Sequence, residues 1–205
     1  MSTLISKEKF VVNLEEAGLG GDRLINEAIN QVLQSQGSLK ADDGILQIEQ
    51  HIFPVALEII LYLRELGKVE PEIVATALLH DVLEDDRSID ERSFRERFGL
   101  RVYNNVKLLT KLNYENLPGE TEAEKKEVRD RIYFEKLEDA PEEVILVKLA
   151  DRLNNVARLS TSSKEGKRER YVKETVEHYL PLAEKHSQYF YVKIQNELNR
   201  ITKNP

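Results

Sequence analysis

Two histidines and several carboxylates stand where apolar residues would be expected. His51 lies in EQHIFPVA, and the pair His80–Asp81 ends the run IVATALLHDVL. Glu84 and Asp85 follow directly, and Asp151 sits inside VILVKLADRL beside Leu149, Ala150 and Leu153. A buried ionised carboxylate is costly unless it is paired or bound to a cation. One divalent cation held by His51, His80, Asp81 and Asp151 accounts for both apolar-centred carboxylates. Such a site, with positions left for water and substrate, lowers the pKa of a bound water and polarises a phosphoryl oxygen. The acidic run Glu84–Asp85–Asp86 closes a helix, where negative charge opposes the helix dipole. On a helix, His80 and Glu84 are four apart, as are Asp81 and Asp85, so ligands and acidic followers share one side. Lys148, Asp151 and Asn155, spaced by three and four, put a ligand, a cation for phosphate oxygens and an amide on one face.

Composition narrows the chemistry. With no cysteine among 205 residues, disulfides, thiolate catalysis and thiolate metal sites are excluded. Any metal is held by nitrogen and oxygen donors, which suit Mn, Fe, Zn, Mg or a similar divalent ion. The 30 basic and 37 acidic residues leave a net charge of −7, unsuited to broad nucleic-acid binding. A phosphorylated small molecule remains compatible if positive charge gathers locally. No run approaches the roughly 20 apolar residues that cross a bilayer. MSTLISKEKFVVNLEEAG lacks the apolar core of a signal peptide, so the expected compartment is the cytoplasm. Oligomeric state is not legible here.

The elements that must position these groups read as helices nearly throughout, giving an all-α, single-domain chain over 1–205 with its core at roughly 23–200. Helices are expected over 23–35, stopped by Gly37, over 54–66, opened by Pro54 and stopped by Gly67, and over 71–84, opened by Pro71. Shorter ones are expected at 90–97, ended by Gly99, and at 101–111. A loop over 113–123 leads to a charged helix, 122–138, and then to a long buried helix, 141–159. Beyond the polar patch 160–166, residues 167–202 read as one helix kinked at Pro181 or two meeting there.

The order His…His-Asp…Asp is that of the HD phosphohydrolase superfamily. The wording around it is more specific: ALLHDVLED, the Phe98–Gly99 turn, LLTKL (108–112), ILVKLADRLNN (145–155) and ETVEHYLPLAEKHS (174–187). Together these resemble the hydrolase domain of RelA/SpoT homologues, over roughly residues 30–200. The resemblance implies removal of the 3′-diphosphate from the alarmones ppGpp and pppGpp, by a stand-alone small alarmone hydrolase without a synthetase domain. It implies Mn(II), or another divalent metal, on His51, His80, Asp81 and Asp151. It implies Glu84 and Asp85 as the pair that positions or activates water, and Asn155 as a nucleotide contact. Lys148, Arg152 and Lys111 are the candidate phosphate-binding cations of its motifs.

The segment before His51, LKADDGILQIEQHI, departs from the family's arginine in a Gly-x-Pro-Tyr context. Lys40 is the nearby cation, and Pro54 follows His51 by three residues rather than one. Asn154 stands where long RelA/SpoT enzymes often carry histidine. These departures fall on the nucleoside side. They keep open an HD hydrolase of another nucleotide, such as a nucleoside monophosphate or NADPH, and a non-catalytic alarmone-binding protein. His178 and His186 read as solvated, Tyr171, Tyr179, Tyr189 and Tyr191 as helix packing, and 122–138 as a solvated face that could border a substrate entrance.

Overall fold

The apolar periods become helices in a computed structural model that describes residues 4–40, 44–159 and 165–203. In chain order they are α1 (Lys7–Glu16), α2 (Arg23–Gln36), α3 (Phe53–Glu65), α4 (Pro71–Leu79), the single turn α5 (Val82–Asp85) and α6 (Glu91–Leu109). Then come α7 (Glu122–Glu138), α8 (Glu142–Leu159), α9 (Glu165–Glu174), α10 (Leu180–His186) and α11 (Gln188–Lys203). Among the described residues no strand forms, and one isolated antiparallel bridge joins Lys40 to Leu46. Side-chain caps start several helices: Asp22 accepts from Ile25 N–H, Asp90 from Ser93 N–H, and Thr121 with Glu124 closes a capping box on α7.

The core forms where α3, α4 and α8 pack on one another, with α2 and α6 against α4 and α11 against α8. It reaches further toward the N-terminus than the expected 23–200. Phe10 of α1 is fully buried and stacks on Phe53 at 4.7 Å. The segments expected at 90–97 and 101–111 run on as α6, bent at Gly99, whose φ of 83° favours glycine.

Two helix expectations are corrected. The helix expected over 71–84 breaks at His80–Asp81: α4 stops at Leu79, and the Asp81 carbonyl accepts from the N–H groups of Glu84 (3.1 Å) and Asp85 (2.9 Å) to start a new turn. The C-terminal break expected at Pro181 falls instead at Ser187, which is extended at φ −158°. Pro181 is absorbed by a π-helical turn, Thr175–Tyr179, in which Leu180 N–H reaches back five residues to Thr175 O. A matching π turn, Ile48–Ile52, precedes Pro54, with Phe53 N–H on Ile48 O. Proline has no N–H for the carbonyl four residues back, so a widened turn before it costs no regular bond.

Candidate metal centre and its cleft

Local irregularities bring the candidate ligands together. Consecutive residues on a regular helix splay apart by about 100°. At the α4–α5 break, His80 and Asp81 converge instead, with His80 Nε2 3.2 Å from Asp81 Oδ2. His51, carried by the first π turn, places Nε2 3.2 Å from His80 Nε2 and 3.3 Å from Asp81 Oδ2. The ligand atoms of these three residues all lie within 4.8 Å of one another. Asp151, the fourth residue implied by the motif, adjoins the trio through Oδ1, 3.5 Å from His51 Nε2. Its carboxylate is also held by Lys148 Nζ at 2.8 Å and by the Asn155 amide.

Both imidazoles are oriented from behind. His80 Nδ1 donates to Ala77 O at 2.7 Å, and His51 Nδ1 to Asn154 Oδ1 at 2.8 Å. With Nδ1 occupied, both Nε2 lone pairs face one point beside a carboxylate oxygen. That donor set repels itself unless a proton or a cation lies between, and it suits a divalent metal. Without a metal, a proton serves. Burial opposes charge on His80, but Asp81 outweighs it and pushes the pKa up to about 9. Burial likewise opposes charge on Asp151, yet Lys148 and the histidines bring its carboxyl down to about 2. Burial also opposes charge on the half-buried Lys148, yet Asp151 holds its ammonium well above the usual lysine range.

The group lies in a cleft of 1690 Å³. Among the described residues its lining includes Lys148, Asp151, Arg152 and Asn155 of α8, Lys126, Arg129 and Phe134 of α7, and Arg170, Tyr171, His178 and Tyr179 from the C-terminal segment. Lys40, Lys111 and Glu84 line it as well. The lining holds ten basic and ten acidic side chains, so the cleft is locally neutral in a chain of −7. A divalent cation would make it positive.

The two acidic followers take different places. Glu84 faces the cleft and accepts from Lys111 N–H at 3.0 Å. Asp85 turns toward α2, where the buried Gln36 donates Nε2–H to it at 2.6 Å. Burial, with Asp81 nearby, pushes the Asp85 carboxyl above the usual aspartate range. Lys111 Nζ sits 3.2 Å from Asp130, and Arg152 donates to Glu174 at 3.1 Å. His178 is exposed, as expected, yet stacks on Phe134 at 4.1 Å along the cleft. His186 departs from the solvated reading: it is half-buried, with Nε2 covered and unpartnered. The α7 face borders the cleft.

The HD domain profile matches residues 45–188. The chain belongs to the HD domain family. The chain is 40% identical over 127 residues to a guanosine-3′,5′-bis(diphosphate) 3′-pyrophosphohydrolase of Aquifex aeolicus, covering 62% of this chain and 17% of that protein. It is 32% identical over 162 residues to a GTP pyrophosphokinase of Brucella ovis, covering 79% of this chain and 20% of the relative. The chain thus spans about a fifth of the length of these relatives. A solved structure described as a metazoan orthologue of SpoT that hydrolyses ppGpp shares the fold, with a TM-score of 0.70 and 19% identity over 87% of this chain and 96% of that one.

Sequence reading missed groups that support the candidate site residues from behind. Asn154 registered only as a departure from a family histidine, although a polar residue three beyond Asp151 on α8 was a usable signal. Gln36 and Tyr133 carried none, because nothing in their local pattern marks them as neighbours of residues 49 and 15 positions away.

Proposed function

We propose that this HD domain is a metal-dependent phosphohydrolase that removes the 3′-diphosphate from ppGpp and pppGpp, with Mn(II) as its metal. The observation that carries the reading is the convergence of two Nδ1-anchored histidines and Asp81 in a cleft whose floor holds the half-buried Lys148 and the buried Arg152. The names of the matched relatives support the substrate class. His51, His80, Asp81 and Asp151 would hold the metal, which supplies water activation and polarisation of a phosphoryl oxygen.

The chain's own groups do the rest. Glu84, which faces the cleft, would position the attacking water and take its proton. Asp85, held against α2 by Gln36, would act from behind it, and its carboxyl is raised above the usual aspartate range by burial. Lys148 and Arg152 offset charge gathering on the phosphoryl oxygens, with Lys111 beside them. Asn155 keeps Asp151 oriented and faces the nucleotide, and Lys40 borders the nucleoside side of the cleft. The compartment we propose is the cytoplasm. A second reading, hydrolysis of a nucleoside monophosphate or NADPH, is favoured by the absence of an arginine from LKADDGILQIEQ, the segment just before His51.

A nucleotide panel with Mn(II) tests both. We expect pyrophosphate release from ppGpp, abolished by Asp81→Ala or Asp151→Ala. Cleavage of other nucleotides with ppGpp spared overturns the alarmone assignment alone. Metal-loaded protein that cleaves nothing in the panel overturns the enzyme reading.

A further inference from the structure

Below the cleft floor, between α7, α8 and the second π turn, three buried polar groups make no well-formed hydrogen bond: the hydroxyls of Tyr133 and Tyr179, and Arg152 Nη1. The groups that face the two hydroxyls, Lys148 for Tyr133 and Arg152 for Tyr179, are themselves donors. Tyr133, Tyr179 and Arg152 are 3%, 0% and 5% exposed. Buried polar groups are almost always paired, so two hydroxyl protons facing donors and lacking an acceptor mark a partner the chain does not supply. They form one neighbourhood. The Arg152 guanidinium lies 3.8 Å from the Tyr179 ring centroid, and Phe134 contacts both tyrosine rings. Lys148 Nζ and Lys111 Nζ sit 5.3 and 5.2 Å from the Tyr133 ring centroid.

What gathers here is donors and cations. The nearby carboxylates Asp151 and Glu174 are already engaged by Lys148 and Arg152. Burial pushes the Tyr133 hydroxyl above the usual tyrosine range, so it keeps its proton and donates. The missing partner is therefore an acceptor, and beside two ammonium groups an anionic one. Backbone design points the same way. The first π turn, backed by Pro54, presents His51, and the second, backed by Pro181, presents Tyr179. Such turns concentrate at functional sites. Lys148, Arg152 and Tyr179 also line the cleft, and Lys148 is bonded to Asp151, which adjoins His51.

We propose that Tyr133, Tyr179 and Arg152 form a second phosphate subsite. It holds the distal phosphate of a substrate diphosphate whose proximal phosphorus lies at the His51–His80–Asp81 group. The subsite rests on the phosphohydrolase reading and deepens it, because it selects diphosphate esters over monophosphates.

Calorimetric titration with inorganic pyrophosphate and inorganic phosphate, with excess Mn(II) in both solutions, tests it without turnover. Wild type should bind pyrophosphate at least tenfold more tightly than phosphate. The double variant Tyr133→Phe/Tyr179→Phe should lose that advantage while keeping a cooperative melting transition, since both rings and their packing remain. A variant that keeps the advantage, or a wild type that has none, overturns the subsite and leaves the space to water. Should the variant not fold, tyrosine ring-carbon NMR of wild type decides. Two of the eight tyrosines should shift with pyrophosphate and not with phosphate, and unmoved signals overturn the proposal. Nucleotide hydrolysis without the pyrophosphate preference sinks this subsite alone. The preference without nucleotide hydrolysis sinks the phosphohydrolase reading alone.

Discussion

Two arginines in this molecule meet opposite fates. Arg101 of α6 is saturated: Nε and Nη2 donate to Glu143 at 2.8 and 2.6 Å, and Nη1 to Glu70 and Glu72 at 2.8 and 2.9 Å. Asn105 adds a bond to Glu143 at 2.7 Å, so the cluster ties α6 to α8 and to the start of α4. Arg152 of α8 is more deeply buried yet has one carboxylate partner, Glu174, two tyrosine rings and an unpaired Nη1. Carboxylates exceed cations around Arg101, whereas donors exceed acceptors around Arg152. The first arrangement is complete as a fold, and the second is complete only with an anion. Degree of pairing, rather than burial or charge, separates a structural cation from a functional one.

Paired substitutions test that contrast most strongly. Arg152→Met should lower phosphohydrolase activity about a hundredfold, the scale of losing one donor to developing phosphoryl charge. Arg101→Met should leave activity in place. Equal activity losses in steady-state assays would erase the distinction. A smaller effect comes from behind the ligands: Asn154→Ala should weaken metal binding about 10- to 100-fold in equilibrium dialysis while the fold persists. Unchanged metal affinity would show that His51 needs no orienting partner.

The smallest effect is on stability. The Arg101 side chain is 38% exposed, so solvent screens its ion pairs and Arg101→Met should cost only about 1 kcal/mol or less in chemical denaturation at neutral pH. Arg101, against some burial, holds the Glu143 carboxyl below its ordinary value of 4.5. A carboxyl depressed by folding stabilises fully above its ordinary value and loses that contribution as pH falls through the lower folded value. The gap between wild type and Arg101→Met should therefore be constant near neutrality and close as pH drops below 4.5. A gap that widens in acid would reassign the cluster.

Much of this arrangement was legible along the chain, for reasons that particular residues show. Apolar periodicity placed α2, α3, α7 and α8 to within a few residues, because burial of one face dictates a helix's extent. Asp151 and the His80–Asp81 pair stood out because charge inside apolar runs demands a partner. The break at His80–Asp81 was not legible. The helical pattern continues through it, and only convergence with His51, 29 residues earlier, gives the break a purpose. Pro181 misled for a related reason, since a π turn can absorb a proline that propensity reads as a kink.

The sequence by itself determined the all-α class, the nitrogen and oxygen donor set left by the lack of cysteine, and the residues around which a metal could gather. These follow from local patterning and from the cost of burying charge. Tertiary structure decided what the charges are for. Packing of α7 and the second π turn against α8 left the Tyr133 and Tyr179 hydroxyls and Arg152 Nη1 without an acceptor, while packing of α6 gave Arg101 three carboxylates. Whether a donor is satisfied depends on neighbours far away in the chain, so no local pattern records it.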